Sequence, residues 1–219
     1  MNIASLIDHT ILRPDCTLEN IKQICKEAEE FAFRAVCVPP YFVPVAARIL
    51  KDSPVKVATV IGFPMGYCTT AAKVEEIKRA MNDGVDELDV VINIAALKNK
   101  DYSYLRNDID STTRAVHLRG KTIKLILETG LLTKAEIERL CSISQEVGVD
   151  FVKTSTGLNG EGASIEVVTQ LRSLLPPKIK IKASGGIRTH EQAHQLIEVG
   201  ADRLGTSASI QIIQGSTPA

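Results

Sequence analysis

The chain has 219 residues, 44% apolar and 24% charged, a globular composition too hydrophobic for a disordered polymer. Twenty-six basic residues balance 26 acidic ones, so no net field draws the chain to nucleic acid or an anionic membrane, and any anion site is local. No run reaches the roughly 18 apolar residues of a membrane span, the first residues lack a secretory pattern, and the five cysteines contain no C-x-x-C, so a cytosolic chain with free thiols and no metal is expected.

Along the chain, Val- and Ile-rich runs alternate with longer stretches of helical periodicity, the pattern of βα units around a parallel sheet. Eight strands are predicted, over residues 6–10, 35–38, 55–61, 87–92, 122–128, 150–154, 179–183 and 202–205. Their mean spacing is about 28 residues, one strand-helix unit. Gly84-Val85-Asp86, Gly148-Val149-Asp150 and Gly200-Ala201-Asp202 repeat a helix-ending glycine before a strand. Thr133 with Glu136, and Thr189 with Gln192, fit capping boxes at helix starts. Eight units without a linker predict one (β/α)8 TIM barrel over residues 1–219, with a loose tail from about residue 214. The competing fold, a doubly wound open sheet, lacks its G-x-G-x-x-G after the first strand.

In such a barrel the chemistry lies at the C-terminal ends of the strands. Strand four, by alternation, turns Glu87 and Asp89 inward, and Asp89 is nearer the active end, either as a proton-transfer group or as partner to an interior lysine. Strands six and seven end in Lys153-Thr154-Ser155-Thr156-Gly157 and Lys182-Ala183-Ser184-Gly185-Gly186. A lysine inside a buried strand is rare, and two on adjacent strands about 4.8 Å apart feel each other's charge. Desolvation and like charge both favour the neutral amine. An unperturbed lysine is only about 0.04% neutral at pH 7, so this shift would make a carbonyl-attacking group. The bland alternative is that the lysines snorkel to the rim as solvated cations. Gly157, Gly185, Gly186 and Ser207 lie in small, hydroxyl-rich loops after the last three strands, where backbone N–H groups can cradle a phosphate. Asp8 ends strand one, to orient a polar substrate or cap a turn; Cys37 faces the site or is a small core residue. Lys124 shares inward parity with Ile126 and Glu128, which predicts an ion pair with Glu87 low in the barrel, with Lys180 nearby. None of His9, His117, His190 and His194 stands out as a ligand.

Several motifs, in order, carry a family resemblance. They are Ile7-Asp8-His9-Thr10-Ile11-Leu12, Val36-Cys37-Val38-Pro39, Gly62-Phe63-Pro64-Met65-Gly66 followed by Lys73 and Glu75, Asp83 through Val91, Leu127-Glu128-Thr129, Val152 through Gly157, Lys182 through Arg188, and Gly205-Thr206-Ser207. Together they resemble the 2-deoxyribose-5-phosphate aldolases, a class I family. The resemblance implies a (β/α)8 barrel that reversibly cleaves 2-deoxy-D-ribose 5-phosphate to D-glyceraldehyde 3-phosphate and acetaldehyde without metal or organic cofactor. By position it implies Lys153 as the Schiff-base lysine, Lys182 as the neighbour that lowers its pKa and Asp89 as the proton-relay acid. Gly157, Gly185, Gly186 and Ser207 would hold phosphate, and Asp8, Cys37 and Thr154 would line the substrate. Partners are then small sugar phosphates and aldehydes, with no nucleic acid or membrane, and a homo-oligomer, dimer or tetramer, is expected. A proton-abstracting barrel isomerase and a non-catalytic sugar-phosphate sensor are the competing functions. The chain departs from the family at Ser209, where Gly is usual, at Lys180, where a small or apolar residue is usual, and in lacking a C-terminal tyrosine.

Overall fold

The computed structural model describes residues 2–215 and closes eight parallel strands into a barrel in chain order. The strands are β1 (Ile7–Thr10), β2 (Ala35–Val38), β3 (Lys56–Ile61), β4 (Glu87–Val91), β5 (Thr122–Ile126), β6 (Phe151–Lys153), β7 (Lys180–Ser184) and β8 (Arg203–Thr206). Each predicted strand is present, with no end shifted by more than two residues. The fifth stops early because Glu128 takes a left-handed conformation at φ 61°, which breaks the ladder. The outer ring is α1 (Leu18–Glu30), α2 (Val43–Ile49), α3 (Thr70–Asn82), α4 (Ile94–Lys98), α5 (Tyr102–His117), α6 (Lys134–Val147), α7 (Ile165–Leu174), α8 (His190–Glu198) and α9 (Ser209–Gln214). Gln214 belongs to α9 and Gly215 caps it, so the tail expected to be loose from about residue 214 is ordered at its first two positions; residues 216–219 lie outside the described residues.

Local chemistry explains the repeat. Both expected capping boxes form, and Thr17 with Asn20 makes a third. Gly84, Gly148 and Gly200 all adopt positive φ, and the aspartate two residues on has a job in each case. Asp86, Asp150 and Asp202 accept hydrogen bonds from the backbone N–H groups of Val57, Ile123 and Ile181, at 3.1, 2.9 and 2.8 Å. Each Gly-x-Asp turn therefore ends a helix and ties the incoming strand to the one before it.

Strand alternation sorts the side chains. Ile7, Val36, Val57, Leu88, Ile123, Val152, Ile181 and Leu204 point outward into the apolar layer against the helices, where each buried aliphatic side chain contributes about 1.5–3 kcal/mol. The interior divides into two. Beside β2 and β3 it is a small apolar wall of Ala35, Cys37, Ala58 and Val60, with Leu12 and Phe63 packed on it. Around the remaining strands it is charged: Asp8, Glu87, Asp89, Lys124, Lys153, Lys182 and Arg203 are all buried. Among the described residues no helix is long and apolar enough to cross a membrane. The five cysteines are free thiols.

Candidate active site

The register places Lys153 directly opposite Lys182 on the neighbouring strand, and Asp89 opposite Lys124. The charges then connect without a gap. Asp89 Oδ2 accepts from Lys153 Nζ at 2.8 Å and from Lys182 Nζ at 2.7 Å, while its Oδ1 accepts from Lys124 Nζ at 2.9 Å. Lys124 also meets Glu87 at 2.7 Å, and Glu87 accepts from Arg203 at 3.0 Å. Arg203 donates to Asp8 Oδ1 at 2.6 Å, and Asp8 Oδ2 accepts from Lys182 at 2.5 Å. Glycine at position 205 makes room for this, since a Cβ there would lie 2.9 Å from Lys182 Cε and 3.0 Å from Ser184 Cβ.

The two facing lysines differ in their supply of counter-charge. Burial pushes both toward the neutral amine. For Lys182 the Asp8 and Asp89 carboxylates overcome that pressure and hold its pKa above the ordinary value. Lys153 has Asp89 alone, with the Lys182 cation beside it, and its pKa falls below the ordinary value. The symmetric reading, in which both amines tend to neutrality, is therefore corrected: only Lys153 is driven that way. Burial would raise the Asp89 carboxyl, but the Lys124, Lys153 and Lys182 charges keep it well below the usual carboxylate range. Asp8 is likewise lowered against its own burial, by Lys182, Lys124 and Arg203. The site thus holds a buried amine able to shed its proton, next to a fixed cation and a fixed anion.

Above this floor the loops after β6 and β7 meet backbone to backbone, Ala163 N–H donating to the Ser184 and Gly185 carbonyls at 3.1 Å. Gly185 has φ 91°, and a Cβ on it would come within 2.9 Å of Gly162 Cα, so the two loops could not approach with side chains. Gly157 and Gly186 also take positive φ. Ser207 is exposed and shares with Arg188, His9 and Gln211 the border of a cavity of about 470 Å³. The loop after β6 is braced from below by Glu128, fully buried at the end of β5. Its carboxylate accepts from Thr156 N–H at 3.0 Å and from the Thr156 hydroxyl at 2.5 Å. Asn159 in that loop donates to the Pro64 carbonyl at 3.2 Å, tying it to the loop after β3.

Several residues occupy places other than those the sequence suggests. Asp8 neither caps a turn nor offers a free oxygen, because Arg203 and Lys182 take both. The Thr154 hydroxyl donates to the Ser184 carbonyl at 3.0 Å and accepts from Ser184 N–H at 3.1 Å, which ties the first residue past β6 to the last residue of β7. Cys37 does face the interior, and burial, ahead of the nearby Asp89 charge, raises its thiol pKa to about 11. Lys124 pairs with Glu87 as expected, but Lys180 is exposed at the lower end of β7, 5.7 Å from the centre of the Phe151 ring, and takes no part in the network. His9 is a spacer between elements, bonded to Glu27 and Ser209 at 2.8 Å each. Ser209 therefore supplies a hydroxyl bond that glycine could not. Glu128 and Arg188 stand in the motifs quoted above without a role of their own, and Arg203 is absent from the sequence reading, although an arginine two residues before Gly205 has inward parity.

Comparison with known proteins identifies the family. The DeoC/LacD aldolase family is matched over residues 3–214. The deoxyribose-phosphate aldolase of Thermococcus kodakarensis is 50% identical over 216 residues, covering 98% of this chain and 96% of that protein. That of Staphylococcus epidermidis is 48% identical over 215 residues, 98% of this chain and 97% of that protein. Among solved structures, the tetrameric deoxyribose phosphate aldolase of Aeropyrum pernix superposes with TM-score 0.90 at 31% identity, over 97% of this chain and 89% of that one. An aldolase named QR15 gives TM-score 0.92 at 40% identity, over 97% and 94%.

Proposed function

This chain belongs to the DeoC/LacD aldolase family, and we propose that it works through Lys153 as the imine-forming amine. Its reaction is the reversible cleavage of 2-deoxy-D-ribose 5-phosphate to D-glyceraldehyde 3-phosphate and acetaldehyde. One observation carries the residue assignment: Lys153 and Lys182 share Asp89 Oδ2, yet Lys182 alone has a second carboxylate, Asp8, so of the two only Lys153 is left with its pKa below the ordinary value.

The neutral Lys153 nitrogen adds to the sugar's aldehyde carbon, and loss of water leaves a protonated imine, which draws in the electron pair of the breaking carbon–carbon bond. As that bond breaks, the hydroxyl on the departing carbon gives its proton to the Asp89–Lys182 pair and becomes the aldehyde of glyceraldehyde 3-phosphate; the same pair returns a proton to the enamine carbon, and water then hydrolyses the imine to acetaldehyde and free Lys153. Asp89, ionised and in contact with Lys153, stabilises the iminium charge where it develops. Lys182 is the acid that protonates the carbinolamine oxygen, with Asp89 Oδ2 as the shared point through which a proton passes between the two nitrogens. Cys37 and its neighbours Ala58 and Val60 give the two-carbon end an apolar wall. Asp8 holds Lys182, and Thr154 ties the end of β6 to that of β7.

Phosphate is assigned to Gly157, Gly185, Gly186 and Ser207, with the exposed Arg188 as the side-chain cation at that rim. Binding there is remote from the broken bond but fixes the reacting carbon over Lys153. A homo-oligomer in the cytosol, one barrel domain per chain, belongs to the same proposal. The tetramer of the A. pernix relative supports assembly, and sedimentation of the purified chain tests it.

Borohydride reduction in the presence of substrate, followed by peptide mapping, tests the assignment. The label is expected on Lys153 and is lost in Lys153→Ala. A label on Lys182 in the intact protein would reverse the roles of the two lysines. Absence of any label would favour a proton-abstracting enzyme or a sensor.

A further inference from the structure

Six of the seven charges named in the barrel interior, Asp8, Glu87, Asp89, Lys124, Lys153, Lys182 and Arg203, form a closed ring of alternating sign. From Arg203 it passes to Asp8 (2.6 Å), Lys182 (2.5 Å), Asp89 (2.7 Å), Lys124 (2.9 Å) and Glu87 (2.7 Å), and back to Arg203 (3.0 Å). Its three cations and three anions cancel. Lys153 hangs on this ring by one bond to Asp89 Oδ2 and has no anion of its own. The member that completes the balance is Arg203, at the base of β8, with its guanidinium 5.4 Å from the Phe151 ring that floors the barrel.

We propose that Arg203 is a positioning residue for the aldolase reaction: by closing and neutralising the ring it makes Lys153 the surplus cation, the one charge the buried cluster can lose and remain balanced. This rests on Lys153 being the imine-forming amine. Without Arg203, three carboxylates would face Lys124 and Lys182 alone, and Lys153 would be drafted as the third counter-charge, fixed as an ammonium that cannot attack a carbonyl. The groups surrounding Lys153 support this reading. Asp89 from β4 and Cys37 from β2 favour its charged form, and Lys182 from β7 opposes it. Behind these stand Lys124 from β5, Asp8 from β1 and Glu87 from β4, and β3 lines the interior with Ala58 and Val60, with the half-buried Lys56 at the same parity at its lower end. Arginine suits the position because it stays charged and can reach two carboxylates in one geometry, which it does here through Nη1.

The test is the pH dependence of borohydride trapping with acetaldehyde, mapped to Lys153, in four variants beside the parent protein. Arg203→Met is expected to move the midpoint alkaline by about one pH unit, the size expected for one charge about 10 Å away in an effective dielectric of about 20. Arg203→Lys keeps the charge and stays within about 0.3 unit of the parent. Glu87→Gln alone removes an anion, so its midpoint moves to acid, and Arg203→Met/Glu87→Gln, which restores neutrality, returns toward the parent. Should Arg203→Met fail to fold, the acid shift of Glu87→Gln and the parent-like double variant still decide the matter. A profile that does not move in Glu87→Gln, or a double variant displaced as far as Arg203→Met, would overturn the inference. A parent label on a residue other than Lys153 would instead overturn the assignment on which it rests.

Discussion

Lys153 and Lys182 donate to the same oxygen, Asp89 Oδ2, at 2.8 and 2.7 Å, from directly opposed positions on adjacent strands. Two ammonium groups on one carboxylate oxygen are unstable relative to one ammonium and one amine. The second carboxylate, Asp8, decides which is which by binding Lys182. The division of labour between nucleophile and acid is thus built into the connectivity of the barrel interior.

Replacing Lys182 with leucine removes the cation that opposes charge on Lys153. The neutral fraction of Lys153 at a given pH then falls about tenfold per unit of upward shift. Lys182→Leu should lower turnover by about 100-fold or more and move the pH optimum of imine formation alkaline. Initial trapping rates across pH measure both effects, and an unchanged profile with normal trapping would contradict the role given to Lys182.

The two lysines should have opposite effects on stability. Lys153 has a lowered pKa in the folded state, so burying its charge costs stability at neutral pH, a cost relieved as pH rises toward the unfolded value of about 10.4. Lys182 has a raised pKa, so its contribution is full below about 10.4 and is lost as pH rises through its higher folded value. Lys153→Met should therefore be inactive and about 1 kcal/mol more stable, while Lys182→Met should be inactive and destabilised by about 3 kcal/mol. Denaturant midpoints at pH 7 check the signs.

Much of this arrangement is legible in the sequence. The two-residue alternation of strands turns Lys124, Lys153, Lys182, Glu87 and Asp89 inward, and the repeated Gly-x-Asp turns count out the units. Closure is what a linear pattern does not carry. Arg203 on β8 meets Glu87 on β4 from 116 positions away in sequence, and Asp8 on β1 meets Lys182 on β7 from 174, because closing the sheet brings β1 beside β8 and turns opposite strands toward one interior. Parity also puts Lys180 inside, but it stands at the open lower end, where the chain rises past Phe151 and its ammonium reaches solvent. Glu128 follows no parity at all, since its left-handed backbone lies beyond the strand and aims the carboxylate at Thr156.

Lys124 tests how buried charge contributes to the fold. Lys124→Met leaves Glu87 and Asp89 short of a partner and should cost about 3–5 kcal/mol, whereas Lys124→Met/Glu87→Gln should cost much less. Chemical unfolding of the two variants measures the difference; equal losses would show that the pair is not coupled.

Glu128 tests the loop after β6. Glu128→Ala leaves the Thr156 N–H without its acceptor, a loss of about 1–3 kcal/mol, and frees the segment containing Gly157. The KM for the phosphorylated sugar should rise about 5- to 100-fold, while trapping of acetaldehyde, which carries no phosphate, stays close to the parent rate. A matching loss with both substrates would place Glu128 in the chemistry instead.

The mechanism stands on an ordering of two proton affinities, and a site-resolved titration reads that ordering directly. Lysine side-chain nitrogens labelled with 15N are followed by NMR from pH 6 to pH 12 in the ligand-free protein, with Lys153→Met and Lys182→Met used to assign the two resonances. The expected result is a Lys153 amine that loses its proton below the ordinary lysine value and a Lys182 ammonium that keeps its proton above it. Titration in the reverse order, or of both groups above the ordinary value, would contradict the roles given to the two lysines.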